Sequence, residues 1–266
     1  MQPDLNAQQR QSDILDVARA NALRTTLSQP ASLRAGDPLP HLFHQIYFWE
    51  PVAADGLGRD GHPKVGGLIP DMGLPRRMWA SGRLAFHSPL LVGQEAVRHT
   101  TCESALRKTG RSGRLAFVTL RHEIHQSERH CLTEWQELVY REDPKPGDPV
   151  RVPPVARVDE EVSEEVTFSS TVLFRYSALT FNGHRIHYDL DYARDVEGYK
   201  GLVVHGPLLA QLLLDFAERA LGQVTGFQFR ATAPLMHFET ASLCRTGQDL
   251  WVRGPGGRQC MVAQVS

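Results

Sequence analysis

Apolar and polar residues along the chain keep two different rhythms. Between residues 76 and 142 the apolar positions come in short β-like runs, Arg77 to His87, Leu91 to Ser104, Arg114 to His125 and Leu132 to Arg141, with Gly93, Gly110 and Gly113 marking turns. In the third run Leu115, Ala116, Phe117, Val118 and Leu120 crowd together, which predicts one strand end buried on both faces. After residue 206 the rhythm becomes helical. Leu208, Leu209, Leu212, Leu213, Phe216, Ala217 and Ala220 build a wide apolar stripe, with Gly206 and Pro207 at its start and Gly222 as the closing residue. A stripe of that width belongs in a core wrapped by a sheet. Gly226 to Ala233, Leu235 to Cys244, Leu250 to Arg253 and Cys260 to Val265 are further strand candidates.

Around these elements the pattern is weaker. Ser12 is placed to cap a helix reaching about Leu27, with Ile14, Val17, Ala18 and Ala20 to Leu23 as its apolar side. The aromatic-rich residues 41–51 predict a short buried helix or strand. Residues 52–75, rich in Gly, Pro and Asp, form a loop long enough to serve as a lid or binding loop. A proline-rich linker, 143–154, is the clearest boundary, and an acidic stretch follows at 158–165. Phe174 to Thr180 reads as a short extended piece running into a polar turn, Asn182-Gly183-His184-Arg185. Ile186-His187-Tyr188 then leads into a small helix capped by Asp189, with Tyr192, Ala193 and Val196 on its apolar side.

Composition narrows the class without choosing a function. In 266 residues, 41% hydrophobic and 22% charged are the proportions of an ordinary soluble globular protein. A formal net charge of −1 gives no electrostatic case for nucleic acid or a membrane surface. The four cysteines, Cys102, Cys131, Cys244 and Cys260, are scattered and read as reduced thiols. The polar N-terminus lacks the apolar core of a signal peptide, and no apolar run approaches the ~20 residues needed to cross a bilayer, so the cytoplasm is the expected location.

Three stretches carry a family resemblance: LTFNGHRIHYD at 179–189 with Tyr192-Ala193 and His205-Gly206, LPRRMWASGRLAFHSPLLVG at 74–93, and GRLAFVTLRHEI at 113–124. They resemble the MaoC-like (R)-specific enoyl-CoA hydratases and type 2 hydroxyacyl-thioester dehydratases, and in particular the branch that hydrates itaconyl-CoA and mesaconyl-C4-CoA. The resemblance implies an α+β, double hot-dog fold, two fused units whose antiparallel sheets wrap a central helix. Residues 1–150 would form a degenerate, substrate-binding unit and 151–266 the unit that carries the hydratase motif. It also implies an acyl-CoA substrate, with no metal and no cofactor beyond the coenzyme A of that substrate, and a homo-oligomeric assembly. The departures from the family motif are Asn182 for Asp, His184 for Asn and Arg185 for Pro.

Hydration of a double bond conjugated to a thioester needs a base for water, an acid for Cα and donors for the charge growing on the thioester oxygen. His187 is the candidate acid/base, because imidazole titrates near neutral pH. The alternative is a packed histidine. By resemblance the helix N-terminus at Gly206, after His205, would hold the thioester oxygen. Asn182 exchanges no proton and is expected to orient water or substrate, or else to serve its own turn. Asp189, Glu123 and Glu239 are open candidates for the missing carboxylate. Arg185, Arg76 and Arg77 compete to bind a substrate carboxylate or the CoA phosphates. His122-Glu123-Ile124-His125 lacks the spacing of a zinc protease site, and DGLGRDGHP at 55–63 reads as turns rather than a phosphate loop. A non-catalytic acyl-thioester binding protein and a 3-hydroxyacyl-thioester dehydratase are the competing functions.

Overall fold

The computed structural model describes residues 8–110, 113–143 and 152–266. Among these residues ten strands make one sheet: β1 (Gln8–Ile14), β2 (Arg76–Phe86), β3 (Glu95–Gly110), β4 (Gly113–Gln126), β5 (Arg129–Arg141), β6 (Val162–Val166), β7 (Gly226–Ala231), β8 (Ala241–Thr246), β9 (Asp249–Arg253) and β10 (Gln259–Val265). Their spatial order is β1-β3-β4-β5-β2-β7-β10-β9-β8-β6, every neighbour antiparallel. All five strands from residues before 142 therefore lie on one side, all five from residues after 161 on the other, and they meet where β2 pairs with β7.

Among the described residues three α-helices accompany the sheet: α1 (Val17–Thr26), α2 (Ser170–Leu179) and α3 (Gly206–Leu221). Of the expected α3 stripe, Leu208, Leu209, Leu213, Phe216 and Ala217 are buried against β7 to β10 and Leu214 joins them, while Leu212 is half-buried and Ala220, in the last turn, is exposed. Gly222 ends the helix at φ 80°, a conformation glycine adopts without a Cβ clash. The 41–51 segment holds a short 3-10 turn, Phe43–Ile46, with Phe43 and Ile46 in the core.

Several local expectations differ from the structure. Residues 8–14 form an edge strand, so Ser12 to Ile14 do not begin the helix. Their alternating exposure suits pairing with β3, and Asp16 rather than Ser12 caps α1 by accepting from the Arg19 N–H at 2.9 Å. Residues 174–179 are helical, not extended, and Thr180 is the residue that ends the helix. Ser169 caps α2, accepting from the Val172 N–H, and Leu173, Tyr176 and Ser177 are its buried face, which is i, i+3, i+4 spacing. β4 alternates along its length, so Ala116, Val118 and Leu120 are buried while Leu115 and Phe117 are half-buried, and the run is not buried on both faces. Residues 235–240 precede β8 as a turn, and the acidic stretch supplies edge strand β6. Residues 144–151 of the expected linker, and with them the expected boundary at 150, lie outside the described residues.

Candidate active site

The segment between α2 and α3 builds the site. After α2 ends, Phe181 takes φ 52° and its ring stacks on Trp49 at 5.1 Å. The chain then turns through Asn182, whose Oδ1 accepts from the His184 N–H at 3.0 Å, an Asx turn. That bond commits the Asn182 oxygen to its own turn. A 3-10 turn at Arg185–His187 brings His187 beneath α3, and a π-helical turn at Tyr192–Val196 follows, with Asp189 accepting from the Tyr192 N–H at 3.0 Å.

His187 is buried, and its Nδ1 lies 2.7 Å from the Val203 carbonyl oxygen. A carbonyl only accepts, so Nδ1 carries the proton and Nε2 keeps its lone pair. Burial lowers the imidazole pKa to about 4, and the Val203 bond only partly opposes it. The ring is therefore a neutral base near pH 7. It stacks on His205, with centroids 3.7 Å apart. His205 is fully buried, hydrogen-bonded to Ser177 Oγ at 2.8 Å, and held well below its ordinary pKa by burial and by the neighbouring histidines. Its ring acts as a platform for His187 rather than as a group facing outward. The next residue, Gly206, opens α3 with an N–H that has no intrahelical acceptor. The base and the helix N-terminus thus adjoin.

The loop at 52–75 folds over this segment. A turn of it is closed by Gly58 N–H to His62 O (2.7 Å) and Lys64 N–H to Gly56 O (2.9 Å). It docks through Arg185 N–H to Asp60 O, at 2.9 Å. Gly61 and Gly183 touch backbone to backbone. A Cβ on Gly61 would come 2.0 Å from the Gly183 carbonyl oxygen, and one on Gly183 would come 2.5 Å from that of Gly61. Docking brings in Asp60 and His62, whose local sequence predicts only turns. Asp60 Oδ2 is 2.9 Å from His62 Nδ1, and the His62 and His184 rings are 4.4 Å apart. His184 meets His187 edge-on at 5.4 Å. Burial would raise the Asp60 carboxyl, but its bonds to His62 reverse this and hold it well below the usual range. Burial, together with His62 and His187, keeps His184 well below its ordinary value. One ligand atom each of Asp60, His62 and His184 lie within 4.8 Å of one another, so this is also where a metal ion would fit.

The three arginine candidates separate. Arg185 donates to Asp189 through Nε and Nη2 (3.0 and 2.7 Å) and lies over the Tyr192 ring. Arg76 is paired with Glu197 in a nearly closed environment. Arg77 faces Tyr140 across β2 and β5, its charge acts on His62 and His184, and it has no carboxylate partner among the described residues. Of the carboxylate candidates, Asp189 is committed to Arg185 and the helix cap, Glu123 pairs with Arg121, and Glu239 with Arg258. A broad groove of about 760 Å³ elsewhere crosses the β2–β7 seam, lined by Arg83, Trp135, Arg230 and Trp251. It contains no buried histidine or carboxylate, so the chemistry is assigned to the histidine cluster.

The family described as hydroxyacyl-thioester dehydratase type 2 matches residues 42–237, which include the loop, the histidine segment and all of α3. The chain belongs to that family. It is accordingly a hydro-lyase type of enzyme. The mesaconyl-C(4)-CoA hydratase of Chloroflexus aurantiacus is 43% identical over 262 residues, covering 95% of this chain and 92% of the relative. Among solved structures, a MaoC-like dehydratase superposes with a TM-score of 0.70 at 15% identity, over 98% of this chain and 97% of that one. A Mycobacterium tuberculosis protein described as having a double hotdog fold superposes at 0.60 with 17% identity, over 98% and 96%. The fold of this hydroxyacyl-thioester dehydratase relative is thus the double hot-dog. Among the described residues, no helix is long and apolar enough to cross a membrane.

Proposed function

We propose that the protein hydrates a dicarboxylic enoyl-CoA, mesaconyl-C4-CoA or itaconyl-CoA, to citramalyl-CoA. The observation that carries this reading is the neutral His187, its Nε2 lone pair free, beside the open N-terminus of α3. His187 would take a proton from water as the oxygen bonds to Cβ, and the Gly206 N–H would receive the charge growing on the thioester oxygen. The relative's substrate supports the dicarboxylic class. So does Arg77, a cation beside the cluster with no carboxylate of its own among the described residues, suited to a carboxylate on the carbon that receives hydroxyl. Asn182 would hold the turn, and Arg185 would brace the segment through Asp189.

The test is a side-by-side assay of purified protein with mesaconyl-C4-CoA, itaconyl-CoA and crotonyl-CoA. The dicarboxylic thioesters should be turned over preferentially, and mesaconyl-C4-CoA, whose double bond is conjugated to the thioester, should need no shift of that bond. Replacing Arg77 by Met should raise KM for the dicarboxylic substrate by about 10- to 100-fold and leave crotonyl-CoA nearly unaffected. Preference for crotonyl-CoA or longer acyl chains would favour a 3-hydroxyacyl-thioester dehydratase instead. Binding of CoA esters with no turnover would favour a non-catalytic carrier.

A further inference from the structure

Hydration requires an acid for Cα as well as a base for water, and Asn182 can be neither. We propose that the Asp60–His62 pair on the docked loop is the second proton-transfer unit of this site, with His62 Nε2 delivering the proton to Cα. This deepens the hydratase reading and rests on it.

The geometry is that of a carboxylate-oriented imidazole. Asp60 Oδ2 lies 2.9 Å from His62 Nδ1, and Asp60 Oδ1 accepts from the His62 backbone N–H at 3.1 Å, so the carboxylate fixes both the ring and its turn. With Nδ1 turned to Asp60, Nε2 is the atom left for chemistry, and it makes no hydrogen bond among the described residues. The ring packs on His184, which in turn meets His187, so a row of imidazoles runs from the loop to the base. The loop is held there by the Arg185 N–H to Asp60 O bond and by the Gly61–Gly183 contact. Burial and the Arg77 charge hold the His62 imidazole below its ordinary pKa, and Asp60 only partly opposes them, so the imidazolium is the minority form near neutral pH.

The step balances without a further reactant. Water oxygen bonds to Cβ while His187 Nε2 takes one of its protons. The C=C π pair moves toward Cα and the thioester oxygen, forming an enolate held at Gly206. The enolate pair then takes a proton from the His62 imidazolium, and the thioester carbonyl re-forms. His187 now holds the proton that His62 lost, and its transfer back by way of His184, whose ring lies between them, resets the site. Nothing is oxidised or reduced.

The experiment compares wild type with His62→Gln and Asp60→Asn, following hydration between pH 5 and 9, CoA-ester binding by calorimetry, thermal melting and bound metal. The groups that face His62 are Asp60 on its own loop, His184 and His187 from the motif segment and Arg77 from β2, with Tyr140 of β5 acting on Arg77 and Asp60. His62→Gln should lower turnover about 100-fold or more while keeping binding and melting close to wild type, and should abolish the alkaline limb of the kcat profile. Asp60→Asn, nearly isosteric, should keep that limb but move it to lower pH, since the imidazolium loses its counter-charge. Turnover of His62→Gln within threefold of wild type would overturn the proposal. So would an unmoved limb in Asp60→Asn, or stoichiometric zinc in the wild type whose removal abolishes activity. A wild type inactive on all three thioesters would instead sink the hydratase reading itself.

Discussion

At the scale of single residues, burial keeps His187 and His122 neutral, and the Val203 carbonyl fixes the tautomer of His187. His187→Gln keeps the size and one hydrogen-bond donor, so the fold should survive. Hydration should fall about 10²- to 10⁴-fold, the range for loss of a general base, as read by loss of the conjugated thioester absorbance. The same burial makes stability depend on pH. His187 and His122 each have a folded pKa of about 4, against an ordinary imidazole value of 6.5. As pH drops below 6.5 the unfolded chain binds these protons first. Stability from keeping both neutral is therefore complete above 6.5 and is lost progressively between 6.5 and 4. Urea midpoints at pH 7 and 5 should differ in that direction, by at most about 2 kcal/mol per histidine. His122→Gln should shrink the difference. His187 was legible in the sequence, because an imidazole within a matched motif stands next to its own helix. Asp60 and His62 were not, since D-G-H reads as a turn and nothing local says that the turn docks on residue 183.

Among elements, the docked loop and the motif segment act as one part. Their contact depends on two glycines, because each Cβ would collide with the facing carbonyl. Gly61 also sits at φ 87°, where any other residue is strained. Gly61→Ala should lift the loop and lower hydration about tenfold or more. The loop contributes little to the main core, so the melting temperature should move by only a few degrees; assay and melting curve on the same preparation check both. The loop's length hinted at a lid or binding role, while its partner was beyond local pattern. In α2, Phe174 to Thr180 reads from the sequence as a short extended piece, whereas Ser169 caps a helix that turns Leu173, Tyr176 and Ser177 inward and packs against α1.

Across the whole molecule, ten strands become one sheet only through the β2–β7 ladder, which runs from Ser81 opposite Arg230 to Ala85 opposite Gly226. Gly82 stands opposite Phe229 there, and a Cβ would come 2.6 Å from the buried Phe229 ring, itself packed near Trp79. Gly82→Val should therefore strain the join between the two sets of strands and cost about 1–3 kcal/mol, measured by urea unfolding. Trp79 lies in the same strand as Arg77, and its backbone oxygen is the nearest neighbour of a Cβ placed on Gly206, at 4.0 Å. Strain at the seam should thus also be felt at the helix N-terminus, as a higher KM.

By itself the sequence determined what periodicity and local chemistry can specify: the α3 stripe with the glycines at its ends, the antiparallel strands and the motif histidine. These depend on neighbours a few residues apart, or on a pattern long enough to match a family. Only the tertiary structure decided that a polar turn at residues 58–64 closes over that histidine, that Arg76 and Arg185 are already paired with carboxylates, and that Arg77 faces the histidine cluster instead. Those outcomes follow from contacts between segments far apart in the chain, whose geometry is set by sheet order and backbone close approach rather than by any short-range signal.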